Sequence, residues 1–176
     1  MDNAELEYFA KLRYELLYRI QLSALYHQKR ERFFDLLDKL TKAVAIFGGS
    51  AALSKLTTPD ALVYIASAIT ATSTASLVFG LSDRSKRHSE LARNFRTLES
   101  KIVSKGERDY VEADLSQWTA EERGLEALEP PALGALVVSC QNELAAAGGR
   151  LEMVIAIPLW QRLTMNFVDW NVRVAH

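Results

Sequence analysis

The sequence predicts an all-α fold: an integral membrane two-helix hairpin, carried by a long N-terminal helix and followed by a cytoplasmic helical bundle. Three observations predict it. No glycine or proline occurs before Gly48, so the N-terminal part can run as uninterrupted helix. Ala61 to Ser82 carries no charged residue, which matches the roughly 20 residues needed to cross a bilayer core. Basic residues crowd both flanks of the apolar region and thin out in the turn inside it.

The first element is a helix over residues 4–40. Leu6, Phe9, Leu12, Leu16, Leu17 and Ile20 recur at three- and four-residue spacing, and Ala24, His27 and Phe34 continue the stripe. Such a stripe on a long helix calls for helical partners. The first apolar segment, Ala43 to Ser54, lies between Lys42 and Lys55. It is too short to span unaided, but lysine stems can snorkel outward and close the gap. "LTTPD" breaks the chain, with Thr58 as N-cap and Pro59 in the first helical position. The second segment, Ala61 to Ser82, then returns antiparallel to the first.

Beyond the hairpin, residues 89–105 read as helix on Leu91, Phe95, Leu98 and Ile102, with Gly106 as a stop. A short helix over 107–115 follows. Thr119 and Glu122 stand at capping-box spacing and predict a helix to Glu129. Pro130 and Pro131 open the next, which ends at Gly148 and Gly149. In the tail after Pro158, Trp160, Leu163, Phe167 and Trp170 share a helical face. The domains expected are residues 1–42, a cytoplasmic helix; 43–82, the transmembrane hairpin; and 83–176, a cytoplasmic helical region.

Composition narrows the function. A chain that is 49% hydrophobic, with only 8 Gly and 4 Pro, is not a disordered one. The lone Cys140 excludes an intramolecular disulfide framework and suits a reducing compartment. The first 20 residues are charged throughout and lack a signal-peptide core. Lys29, Arg30, Arg32, Lys39 and Lys42 precede the hairpin, and Arg84, Lys86, Arg87, Arg93 and Arg96 follow it. By the positive-inside pattern both termini are cytoplasmic.

No catalytic pattern emerges, so the chain is not expected to be an enzyme. His27, His88 and His176 are scattered without metal-ligand spacing, and no phosphate-cradling glycine loop is present. No metal or other cofactor is expected, and DNA is not expected as a partner. The candidate functional residues lie in and beside the hairpin. Ser67, Thr70 and Thr74 fall within about 60° on a helical wheel. They line a water-filled path between subunits, or they serve close helix packing with hydroxyls bonded to the preceding turn. Ile65, Ile69 and Leu77 are candidates for a hydrophobic gate that keeps the closed state dry. Arg30, Arg32, Arg84, Lys86 and Arg87 are candidates for contact with phosphate or a lipid headgroup. Trp160 and Trp170 belong to the membrane interface or to the bundle core. Polar atoms at membrane depth imply a homo-oligomer, and closed rings make a tetramer the simplest expectation.

One further feature is the order of the stretches. "YHQKRERFFDLLDKLTKAVAIFGGSAA" sets a basic, aromatic helix directly before a short apolar segment. A tight turn, a second apolar segment, "RHSELARNFRTLESKI", a Pro-Pro break, "CQNELA" and "WQRL" follow. This order, over about residues 15–170, resembles the SLATT group of bacterial and prophage proteins with two transmembrane helices and a cytoplasmic helical region. The resemblance implies a membrane effector in antiphage defence, a pore or ion channel controlled by a nucleotide second messenger or a nucleotidyltransferase partner. The other expectation is a non-conducting membrane adaptor or a holin-like prophage protein.

Overall fold

The computed structural model describes residues 3–52, 58–107 and 109–172. Six α-helices account for most of them, and no strand occurs among the described residues. The helices are α1 (Asn3–Ala52), α2 (Pro59–Phe79), α3 (Leu81–Ser104), α4 (Glu112–Glu126), α5 (Gly134–Ala147) and α6 (Leu159–Thr164), with a 3-10 turn at Leu151–Met153. The chain forms two compact units: Met1–Gln28 with Ser89–His176, and Lys29–His88.

The first unit has a core at the crossing of three helices. Leu16, Ile20 and Ala24 of α1 meet Phe95, Leu98 and Ile102 of α3, and Leu115 and Trp118 of α4 close the cluster. The four- and three-residue spacings put each set on one helix face. Each fully buried large side chain contributes about 1.5–3 kcal/mol. A second cluster joins Tyr26 to Leu136 and Cys140 of α5, with Met165 packed against it. Cys140 is fully buried there, an inert packing position rather than an accessible nucleophile.

Three elements differ from expectation. The helices expected over 107–115 and from Thr119 are replaced by one, α4. Its N-cap is Val111, whose N–H donates to Asp114 Oδ2 in the first turn at 3.0 Å. Thr119 lies inside α4 and donates to Leu115 O, while Glu122 is buried against Arg19. The segment after Pro130 and Pro131 enters helix only at Gly134. The second apolar helix ends at Gly80, which takes the left-handed conformation (φ 55°, ψ 46°) and donates to the Leu77 carbonyl. A side chain there would strain the backbone, so glycine makes the break between α2 and α3 inexpensive.

The C-terminal strap is pinned to α5 at both ends. Asn142 donates to Ile155 O at 2.7 Å and accepts the Ile155 N–H at 2.8 Å. Asp169 Oδ1 accepts the Gly134 N–H at 2.7 Å, capping the start of α5.

Candidate functional site

Helix α2 is the feature that departs most from an ordinary soluble domain. Thr58 caps it, accepting the Ala61 N–H, and Pro59 sits where no amide hydrogen is needed. At about 1.5 Å per residue, its 21 residues cover about 30 Å, the thickness of a hydrocarbon core. It is the one helix among the described residues long and apolar enough to cross a membrane, and none of its residues is buried. Val63, Tyr64, Leu77, Val78 and Phe79 all lie exposed. The end of α1 shows the same character at Leu36, Leu40, Ile46 and Phe47.

Within the second unit α2 runs back along α1. At one end Gly48 faces Ile65 and Ile69, and a Cβ on Gly48 would stand 2.9 Å from Ile69 Cδ1. At the other, Ser85 donates to Glu31 O and His88 stacks on Phe34. Ile65 and Ile69 therefore lie on the side of α2 that touches α1, while Leu77, 83% exposed, projects away. The three gate candidates do not form one group.

The hydroxyl residues divide between two faces. Ser67, Thr70 and Thr74 are exposed on one side of α2, and Thr72, Ser73 and Ser76 are half-buried on the other. Successive helical positions turn by about 100°, which sets the first trio roughly opposite the α1-facing isoleucines. Ser67 donates to Val63 O and Thr70 to Ala66 O, each at 2.8 Å. Thr72 is bonded the same way to Ala68 O.

Below the apolar segments the basic residues gather around one ring. Phe34 is buried, with the His88 imidazole stacked on it at 5.6 Å between centroids. The Arg30 guanidinium lies 4.5 Å and that of Arg84 5.8 Å from the same ring centroid. Cation–π contact of this kind contributes about 0.5–2 kcal/mol. Arg30 is buried and also faces Phe33, whereas Arg32, Arg84, Lys86 and Arg87 are exposed. Of the five candidates for phosphate or headgroup contact, the structure thus brings Arg30 and Arg84 together. Lys39 and Lys42 pair with Asp35 and Asp38 one turn back. The hydrogen bond to Asp35 holds the Lys39 ammonium above its usual range.

In the strap, Trp160 and Trp170 meet edge to face at 4.6 Å. Trp160 is exposed, but Trp170 is half-buried and its indole N–H donates to Thr164 Oγ1 at 2.8 Å. They do not share one helical face, because α6 stops at Thr164 and the chain folds back. His27 is buried, with Nε2 3.1 Å from Glu129 Oε1, and His176 lies outside the described residues. Among the described residues no group of three or more His, Cys, Asp or Glu is placed to hold a metal ion.

Sequence reasoning missed a cleft of about 850 Å³ at the start of α1. Phe9, Ala10 and Tyr110 line it together with Glu5, Glu7, Glu107 and Glu112. Arg13 enters from one side, donating to Ile102 O at 3.3 Å with its guanidinium over the Tyr110 ring. The only signal for it was the run of acidic residues at both sequence positions. No protein-family model matches the chain, and neither curated proteins nor solved structures match it.

Proposed function

We propose that this chain is an integral membrane protein whose two-helix hairpin assembles into a homo-oligomeric channel. One observation carries the reading: α2 is membrane-length, has no fully buried residue, and bears Ser67, Thr70 and Thr74 opposite the face that packs on α1. Lipid favours the apolar faces, and the hydroxyl face favours water or another helix. The basic residues at the base of the hairpin support an inner-membrane topology with both termini cytoplasmic. Arg32, Arg84, Lys86 and Arg87, all exposed, are then the residues to meet headgroup phosphates, whereas Arg30 is buried against Phe33 and Phe34 and steadies the site from within. The end of α1 supplies the first spanning segment, and a tetramer remains the simplest ring. A role in antiphage defence, under a nucleotide signal or nucleotidyltransferase partner, rests on the resemblance to the SLATT group.

A second reading has its own support. The Ser67 and Thr70 hydroxyls are already bonded to their own helix, which suits dry packing between copies. On that reading the protein is a non-conducting adaptor or holin-like. Membrane fractionation and conductance of the purified protein in planar bilayers decide. Recovery in the detergent-free supernatant defeats both readings. Discrete conductance steps, reduced by Thr70→Leu and Thr74→Leu, support the channel. Detergent-dependent oligomers that never conduct support the adaptor.

A further inference from the structure

The first compact unit carries an exposed apolar face and a cleft lined by carboxylates. One is the outer face of α6. Leu159, Leu163 and Phe167 recur there every four residues, and the Val168 amide donates to Thr164 O, which extends the turn to carry Phe167. With Trp160 these residues are 53–71% exposed. Large apolar and aromatic side chains bury about 150–250 Å² each, so the four offer on the order of 500 Å². The largest apolar patch of a monomer is commonly of this size and is often functional. The other surface is the cleft at the start of α1, lined by Phe9 and Tyr110 and by four glutamates.

We propose that the α6 face of one copy seats in the α1 cleft of a second copy, with Arg162 directed to the carboxylates. Charge selects this occupant. Arg162 is the only charged residue of α6, and helical spacing sets it beside Leu159 at the edge of the apolar face. The cleft offers Glu5, Glu7, Glu107 and Glu112, while Arg13 is already engaged by Ile102 O and Tyr110. The same carboxylates repel phosphate. An anionic lipid surface is a poor match for the strap, where Arg150 and Arg162 are balanced by Glu152 and Asp169. Two different surfaces meeting head to tail make a heterologous contact, which gives a ring where the rotation closes and an open filament where it does not; the channel reading requires the ring. The proposal deepens the oligomeric part of the channel reading and needs neither conduction nor a defence role.

The test uses full-length protein in detergent with Cys140→Ala as background. Ala10→Cys combined with Leu163→Cys is expected to oxidise into a ladder of covalent multimers that ends at a closed ring. Leu163→Cys alone is expected to remain a single chain. If it dimerises as readily as the pair, the contact is two-fold and the proposal fails. The proposal also fails if neither variant cross-links. Without cross-linking, Arg162→Glu should weaken self-association roughly fivefold, as should Glu7→Arg with Glu112→Arg. The combined variant should recover; recovery no better than the weaker parent overturns the assignment. Persistent oligomers and conductance without cross-links would leave the channel reading standing and remove this one. Cross-linked rings in silent bilayers would do the reverse.

Discussion

The Arg19 guanidinium holds the Glu122 carboxylate at both ends, Nε donating to Oε1 at 2.6 Å and Nη2 to Oε2 at 2.9 Å. This pair ties α1 to α4 across the edge of the first core. The Glu122 side chain is 1% exposed, whereas that of Arg19 is 40% exposed. The hydrogen bond to Glu122, above all, raises the Arg19 pKa. Arg19→Ala leaves a buried carboxylate alone and should cost about 3 kcal/mol, the low end for breaking a buried pair. Adding Glu122→Gln should recover at least half of that, because the stranded charge is gone. Denaturant unfolding followed by Trp118 fluorescence measures both. A loss below about 1 kcal/mol in Arg19→Ala would show that water already screens the pair.

The hairpin gives a contrast between adjacent glycines. A Cβ at Gly48 meets Ile69, whereas one at Gly49 meets nothing within 4 Å. Gly48→Leu should destabilise the hairpin by about 1–3 kcal/mol through overpacking. Gly49→Leu should cost little in the isolated hairpin, and Ile69→Ala should relieve Gly48→Leu. Thermal stability in detergent reads the difference. Equal losses at the two glycines would contradict the packing described.

The two hydroxyl faces of α2 make a labelling prediction. In a Cys140→Ala background, open-state cysteines at 67, 70 and 74 should react with a water-soluble thiol reagent faster than cysteines at 72, 73 and 76. The first set faces away from α1 and the second packs beside it. Indistinguishable rates would exclude a water path along the outer stripe.

Acid should loosen the start of α4. The Val111 N–H first, and then Lys105, hold the Asp114 carboxyl below its ordinary 3.8. A pKa lowered in the folded state means a contribution that is full above 3.8, fades as pH falls and is gone below the lowered value. Glu121 follows the same sign from 4.5, through its hydrogen bond from Lys101. The unfolding midpoint should therefore fall between about pH 5 and pH 3, and Asp114→Asn should flatten part of that fall. Parallel profiles for the two proteins would dismiss the cap as the source.

The long-period features were legible in the sequence. The stripe at Leu16, Ile20 and Ala24 and that at Phe95, Leu98 and Ile102 both became core, because helical spacing alone fixes which face is apolar. The membrane-length helix was visible because length and composition alone mark it. Features that depend on distant partners were not. Thr119 and Glu122 imitate a capping box, yet Glu122 answers to Arg19, far away in the chain. The cleft was hidden because residues 5–13 and 107–112 meet only after α1, α3 and α4 pack together. Gly80 escaped notice because the uncharged run continues past it, and hydropathy carries no record of a left-handed residue.

That residue also decides how the two helices are joined. An unbroken helix resists twist along its whole hydrogen-bond ladder, so turning one end turns the other. At Gly80 the ladder is interrupted and taken up again where the Arg84 amide donates to the Gly80 carbonyl. Helices α2 and α3 are consequently two rods meeting at a corner rather than one drive shaft. A single left-handed residue sets the angle between the apolar rod and the charged one. The start of the charged rod is in turn fixed to α1 by Ser85 and His88, so the corner is braced on the side of α1.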